Sequence, residues 1–264
     1  MKSQTTQRKP GRIGLPAARD TQASTRLELA AVLAALGVLA LLALPALANQ
    51  RERSARVLCV NNLRLAGQAF QQWGTEHGGR MPFRTLWCEG GTQVTGSGSC
   101  PVGTALPPWF GLNNNSWFQW SWISNELRTP KILACPSDAQ RRPANNWGIG
   151  PDGGFRNFNY QNHAVSYLLG LDVFPEHPDA LLAGDRNVRF NVFGQTCSSG
   201  ISPCPGLTRG PVGSFGIGGG LHVEAGNYLF TDGRVEELSS RAFVARWLAI
   251  YGAQDNGAAH YLVP

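Results

Sequence analysis

Charge is scarce in this chain. Asp, Glu, Lys and Arg make up only 15% of its 264 residues, and the formal net charge of +6 is not spread along it. Residues 1 to 28 carry six basic and two acidic side chains, so the remaining 236 residues have a net charge of only about +2. No basic face exists to meet a phosphate backbone, and a nucleic-acid partner is excluded. Catalytic motifs are also missing. The Gly-rich run Gly216-Ile217-Gly218-Gly219-Gly220 lacks the Lys-Ser/Thr of a phosphate-binding loop and the frame of a dinucleotide site. The five His, at 77, 163, 177, 222 and 260, are scattered, and no two share helical metal-ligand spacing. No nucleophile stands beside a base. The expectation is a protein that is not an enzyme, with no catalytic residues and no bound cofactor.

Long apolar runs are equally rare, and a single one is present. Leu29 to Ala48 holds twenty residues without a charge, a helix of about 30 Å, the thickness of a bilayer's hydrocarbon core. Lys2, Arg8, Lys9, Arg12, Arg19 and Arg26 precede it. Short basic flanks stay in the cytoplasm, which predicts a single-pass inner-membrane protein with its C-terminal part periplasmic or extracellular. Beyond the run, Cys59, Leu63, Ala66, Phe70 and Trp73 recur at steps of four, three, four and three, with Arg53, Arg56, Arg64, Gln68 and Gln71 opposite. The pattern predicts one long helix in two parts. Residues 1–26 read as a disordered basic leader, 27–48 as the transmembrane half, 49–73 as the amphipathic half and 74–264 as an extracytoplasmic head. Gly (32) and Pro (17) make near a fifth of the chain and favour loops, turns and strands in that head.

Within the head, Ser124 to Leu127 reads as a short helix, Ile132 to Asp138 as a short buried strand ending in a turn, and Val165 to Leu169 and Ala180 to Asn187, the latter with a polar end, as further strands. Asn227 to Thr231 and Arg234 to Leu238 flank Asp232-Gly233, the sequence of a two-residue type I′ hairpin. Ser239-Ser240 caps a helix to Tyr251, with Phe243, Trp247 and Tyr251 on one side. Four of the eight Trp, at 109, 117, 120 and 122, fall between Pro107 and Trp122. They read as core bulk before they read as a surface that stacks on sugar rings. Six Cys suit an oxidising compartment. Cys88 with Cys100 and Cys197 with Cys204 each close a short loop, and the first pair has no nearby His or further Cys to make a zinc site.

Three sets of residues resemble one family. Glu28 opens the apolar run after a basic leader. Arg56-Val57-Leu58-Cys59-Val60-Asn61-Asn62-Leu63 and Cys135-Pro136-Ser137-Asp138 are similar to its recurrent Cys segments. His222, nine residues, then Asp232 and Gly233 form its signature. The chain resembles the type IV prepilins and type II secretion pseudopilins, and among them the prepilin-type processing-associated H-X9-DG proteins of planctomycetes and verrucomicrobia. The resemblance implies an α+β, pilin-like fold: a long N-terminal helix packed on an antiparallel sheet, with long loops and a short C-terminal helix. It implies a structural subunit that assembles, through Glu28 and a helix bent at Pro45, into a type II secretion pseudopilus or a type IV pilus-like filament.

Cleavage by prepilin peptidase would fall between Ala23 and Ser24, where the family carries Gly and then Phe-Thr-Leu-Ile-Glu in place of Ser24-Thr25-Arg26-Leu27-Glu28. Ala46-Leu47-Ala48 is a competing signal-peptidase site. A Cys59–Cys135 disulfide belongs to the same resemblance. So do partners among other pilin-like subunits or the secretion machinery, and a calcium ion at Asp185 or Asp152. His222 close to the strand carrying Asp232 could share a hydrogen bond or metal with it, although a structural role is the simpler reading. The alternative to a filament subunit is a membrane-tethered module that binds glycans or proteins and never polymerises.

Overall fold

The computed structural model describes residues 26–94, 100–101, 105, 107–109, 111–174, 176–189, 192–194, 204–207, 216–218, 221–222, 225–251 and 259–264. The chain divides into two compact units, 1–49 and 50–264. Helix α1 runs Arg26–Glu76. Its part in the first unit is rich in Leu and Ala, the best helix formers, and has no Pro before Pro45. Arg26–Leu44 has a mean hydropathy of 2.5, none of it is buried, and it is long and apolar enough to cross a membrane. Leu29, Val32, Leu33, Leu36, Leu39 and Leu42 all expose more than half of their surface.

In the second unit the expected stripe is the buried face of α1: Cys59, Leu63, Ala66, Phe70 and Trp73 are each 5% exposed or less. The helix ends where Gly78 and Gly79 take positive φ of 66° and 79°, with the Gly79 N–H donating to the Gly74 carbonyl at 2.8 Å. That left-handed cap satisfies an orphan carbonyl of the last turn at little steric cost.

The stripe lies on an antiparallel sheet. Five strands stand in the order β9-β1-β2-β7-β8, with β1 Tyr167–Gly170, β2 Leu181–Asp185, β7 Ala225–Phe230, β8 Val235–Ser239 and β9 Ala259–Leu262. Strands β5 (Cys204–Leu207) and β4 (Val192–Gly194) extend it beyond β9, while β3 (Val188–Arg189) and β6 (Gly216–Ile217) pair separately. Side chains alternate between the two faces. Leu169, Ala183, Leu229 and Leu262 join the α1 stripe, with Trp120 and Phe83, in one core. Leu168, Leu181, Tyr228, Phe230 and Tyr261 meet Phe243, Trp247 and Tyr251 of α4 (Ser240–Tyr251) in a second. The second unit is therefore α+β with a helix on each face of its sheet. Gly67 sets the spacing on one side: a Cβ there would come within 2.9 Å of Leu229 Cδ1.

Several local expectations hold and three change. Ser239 Oγ accepts the Ala242 N–H at 3.3 Å, capping α4, and α3 covers Ser124–Leu127. Trp120 is fully buried, inside α2 (Ser116–Trp122). Ile132 to Asp138 is no strand. Pro130–Leu133 is a 3-10 turn, started by Pro130 at its first position with the Thr129 hydroxyl accepting from the Lys131 N–H. The segment is still tethered to β1: Ser166 N–H donates to the Leu133 carbonyl and Ser166 Oγ accepts the Cys135 N–H.

The hairpin between β7 and β8 has a three-residue loop, not a two-residue one. The Phe230 N–H bonds the Arg234 carbonyl, the Gly233 N–H bonds the Phe230 carbonyl, and of Asp232 and Gly233 only Gly233 has positive φ, at 88°. A type I′ turn needs both. Asp232 instead keeps an ordinary backbone and turns its Oδ1 to the Arg234 N–H at 3.0 Å. Finally, β9 was not expected at all, yet it pairs with β1 through Leu169–Leu262 and Gly170–Tyr261.

Candidate functional site

Residues far apart in the chain converge beneath α1. Strand β2 ends on Asp185, whose side chain is fully buried because both neighbouring strands and the helix cover that corner. Its Oδ2 accepts two hydrogen bonds from Asn227 of β7, from the backbone N–H at 2.6 Å and from Nδ2 at 3.1 Å. His222, just before β7, points Nε2 at the same oxygen from 3.5 Å and lies 3.8 Å from Cys135 Sγ. Cys135 is in turn disulfide-bonded to Cys59 on α1, with Cα atoms 5.3 Å apart. The sulfurs of Cys59 and Cys135 and a nitrogen of His222 all lie within 4.8 Å of one another, and all three residues are buried.

A second polar layer holds this cluster. The Arg186 guanidinium makes a bidentate pair with Asp138 at 2.8 and 2.9 Å and reaches Gln140 Oε1 at 2.7 Å. Such a fork fixes orientation as well as charge. Asn187 Nδ2 donates to the Ala225 carbonyl at 3.0 Å. The end of β2 is thus tied to both the Cys135 turn and the start of β7.

Burial dominates the electrostatics. It pushes the Asp185 carboxyl up to about 7; the Asn227 hydrogen bonds oppose this, and the charges of Asp138 and Glu237 add to it. Burial, followed by the Arg56 charge, pushes His222 below its ordinary value. Asp138 behaves in the opposite way: burial works against it, but the Arg186 pair holds its carboxyl below the usual range. In mildly acidic solution Asp185 therefore keeps its proton, while burial disfavours the charged form of His222. Three buried atoms of the cluster have no hydrogen-bond partner: Asp185 Oδ1, His222 Nδ1 and Asn227 Oδ1. Unsatisfied buried polar atoms are costly and mark a place with an unfilled bonding capacity.

The structure does not bring His222 to Asp232. Asp232 sits at the hairpin tip, paired with Arg234 Nη1 at 3.0 Å. Strand β7 separates them, six residues rising roughly 3.3 Å each. The acidic partner of His222 is Asp185, which the sequence presented at the polar end of a strand and as a candidate calcium ligand, not as a partner of His222. The signal that could have found it was the coincidence of Cys135-Pro136-Ser137-Asp138, Gly184-Asp185-Arg186-Asn187 and His222 as isolated polar sites beside apolar runs. Asp185 is also not in a loop, as a calcium ligand there would have it, and its Oδ2 already takes two N–H donors. Asp152 lies in the turn at 151–154.

Of the other expected sites, Cys88 and Cys100 are disulfide-bonded. Cys197 lies outside the described residues and Cys204 opens β5, so their bridge falls outside them too. Glu28 occupies the first turn of α1, where a carboxylate favours the helix dipole. Pro45 lies within α1, and Ala23 and Ser24 are outside the described residues. No protein-family model matches the chain, and no curated protein or solved structure does so either.

Proposed function

We propose that this protein is a pilin-like structural subunit, anchored in the inner membrane by α1 and able to assemble into a type II secretion pseudopilus or a type IV pilus-like filament. The observation that carries this reading is the character of α1. Arg26–Leu44 exposes apolar side chains on every side, and Cys59 to Trp73 form the buried stripe of an α+β head. An all-round apolar helix is stable in lipid or among other helices, not in water. Glu28, at its start, is tolerated in such surroundings when a partner meets its charge, and the N-terminus of an adjacent subunit would be that partner. The reading is structural and not enzymatic, with prepilin peptidase and other pilin-like subunits as the partners.

The second reading, a tethered module that binds glycans or proteins, draws on Trp109, Trp117 and Trp122. They are only partly buried and gather around Phe118, with ring centroids 5.3 to 5.9 Å apart. N-terminal sequencing of the membrane-associated protein separates the two. The filament reading expects a mature N-terminus at Ser24, and loss of the subunit from filaments or pseudopilus complexes in Glu28→Ala. An uncut N-terminus together with a monomeric, filament-free protein defeats it and leaves the tethered module.

A further inference from the structure

The Cys59–Cys135 disulfide lies beside a buried imidazole, an arrangement that a disulfide alone does not need. We propose that Cys59, Cys135 and His222 form a second, reduced-state site that binds a divalent cation of zinc type. In a tetrahedral zinc site with bonds of about 2.3 Å to sulfur and 2.05 Å to nitrogen, ligand sulfur and nitrogen stand about 3.6 Å apart. Cys135 Sγ and His222 Nε2 stand 3.8 Å apart already. The two sulfurs would separate from bonding distance to about 3.8 Å, which side-chain rotation supplies with Cα atoms 5.3 Å apart.

Charge fits as well. Two thiolates, a neutral imidazole and a divalent cation sum to zero, the charge a buried site tolerates best. Three protein ligands leave the fourth position of the tetrahedron to a water molecule. Access is through a surface cavity of about 460 Å³, lined by Cys135 together with Leu58, Asn62, Pro136, Asp138 and Arg141.

The chemistry balances with a dithiol reductant. Its two thiols pass two electrons and two protons to the Cys59–Cys135 bond, giving two thiols here and a disulfide in the reductant. The cation then displaces the two thiol protons to solvent. In oxidising surroundings the same three residues hold a staple, and in reducing ones a metal.

The test uses the full chain in detergent with Cys88, Cys100, Cys197 and Cys204 changed to Ser, reduced by a phosphine under anaerobic conditions and titrated with Co²⁺ as the probe. The expected result is one Co²⁺ per chain with a thiolate-to-cobalt charge-transfer band and tetrahedral visible bands, all displaced by Zn²⁺ and absent from the oxidised protein. His222→Asn, with folding checked by near-ultraviolet circular dichroism, should bind about 100-fold more weakly or worse, since even outer partners of a metal site cost 10–100-fold. A reduced chain without the charge-transfer band, folded or not, or a His222→Asn protein that titrates like its parent, overturns the proposal.

Discussion

Asp185 and His222 make opposite demands on pH, and replacing one at a time should expose each. Asp185 is raised from an ordinary 3.8 to about 7, so the stability it contributes is complete below about pH 4 and is lost as pH rises to about 7. At 1.36 kcal/mol per unit, three units make about 4 kcal/mol, of which roughly 2 falls between pH 5.5 and 7. His222 is lowered from an ordinary 6.5, so its contribution is complete above 6.5 and is lost as pH falls through the folded-state value. The two slopes have opposite signs, so in the wild type each masks part of the other.

The variants should separate them. With His222→Gln the Asp185 slope, roughly 2 kcal/mol lost between pH 5.5 and 7, stands alone, and stability relative to wild type should fall as pH rises to 6.5. With Asp185→Asn the His222 slope stands alone, and relative stability should fall as pH drops below 6.5. The leading source of both shifts is burial, to which the charges of Asp138 and Glu237 add for Asp185 and that of Arg56 adds for His222. Urea unfolding followed by tryptophan fluorescence at several pH values, on the full chain in detergent, gives the difference curves. Two flat curves, or two of the same sign, would refute the account of the buried pair.

Three other outcomes are expected. Cys59→Ser opens a loop of 76 residues and should cost about 4 kcal/mol, against about 3 for Cys88→Ser with its separation of 12; urea midpoints in the reverse order would contradict the staple. Asp138→Asn breaks the bidentate pair with Arg186 and should cost about 2–3 kcal/mol near neutrality. Because the Asp138 carboxyl is held low, that loss should shrink as pH falls below about 4, and a loss that stays constant to pH 2 would count against it. Gly233→Ala forces a Cβ onto a residue at φ 88°, 2.8 Å from Gln71 Nε2, and should cost about 1–2 kcal/mol in thermal unfolding, while Gly78→Ala, with open space around its Cβ, tests the strain of positive φ alone.

Periodic burial was legible in the residues themselves. The four-and-three spacing from Cys59 to Trp73 and the repeat of Phe243, Trp247 and Tyr251 each name a helix face, because a helix repeats its geometry every 3.6 residues whatever it packs on. The apolar run could be read for the same local reason: length and composition alone decide whether a helix can cross a bilayer. Asp232-Gly233 announced a turn, since Gly accepts positive φ at no cost, but its loop length depended on the register of β7 against β8, with Leu229 opposite Val235.

Tertiary structure decided what has no local period. Ala259–Leu262 is a strand only because β1 and β5 offer it two open edges, and four residues carry too little pattern to say so. His222 finds Asp185 and not Asp232 because sheet order places β2 beside β7, an adjacency between segments about forty residues apart. The raised carboxyl and lowered imidazole follow from that burial, as does the closeness of His222 to the Cys59–Cys135 bond. Sequence spacing measures distance along the chain, whereas desolvation and ligand geometry depend on distance through space.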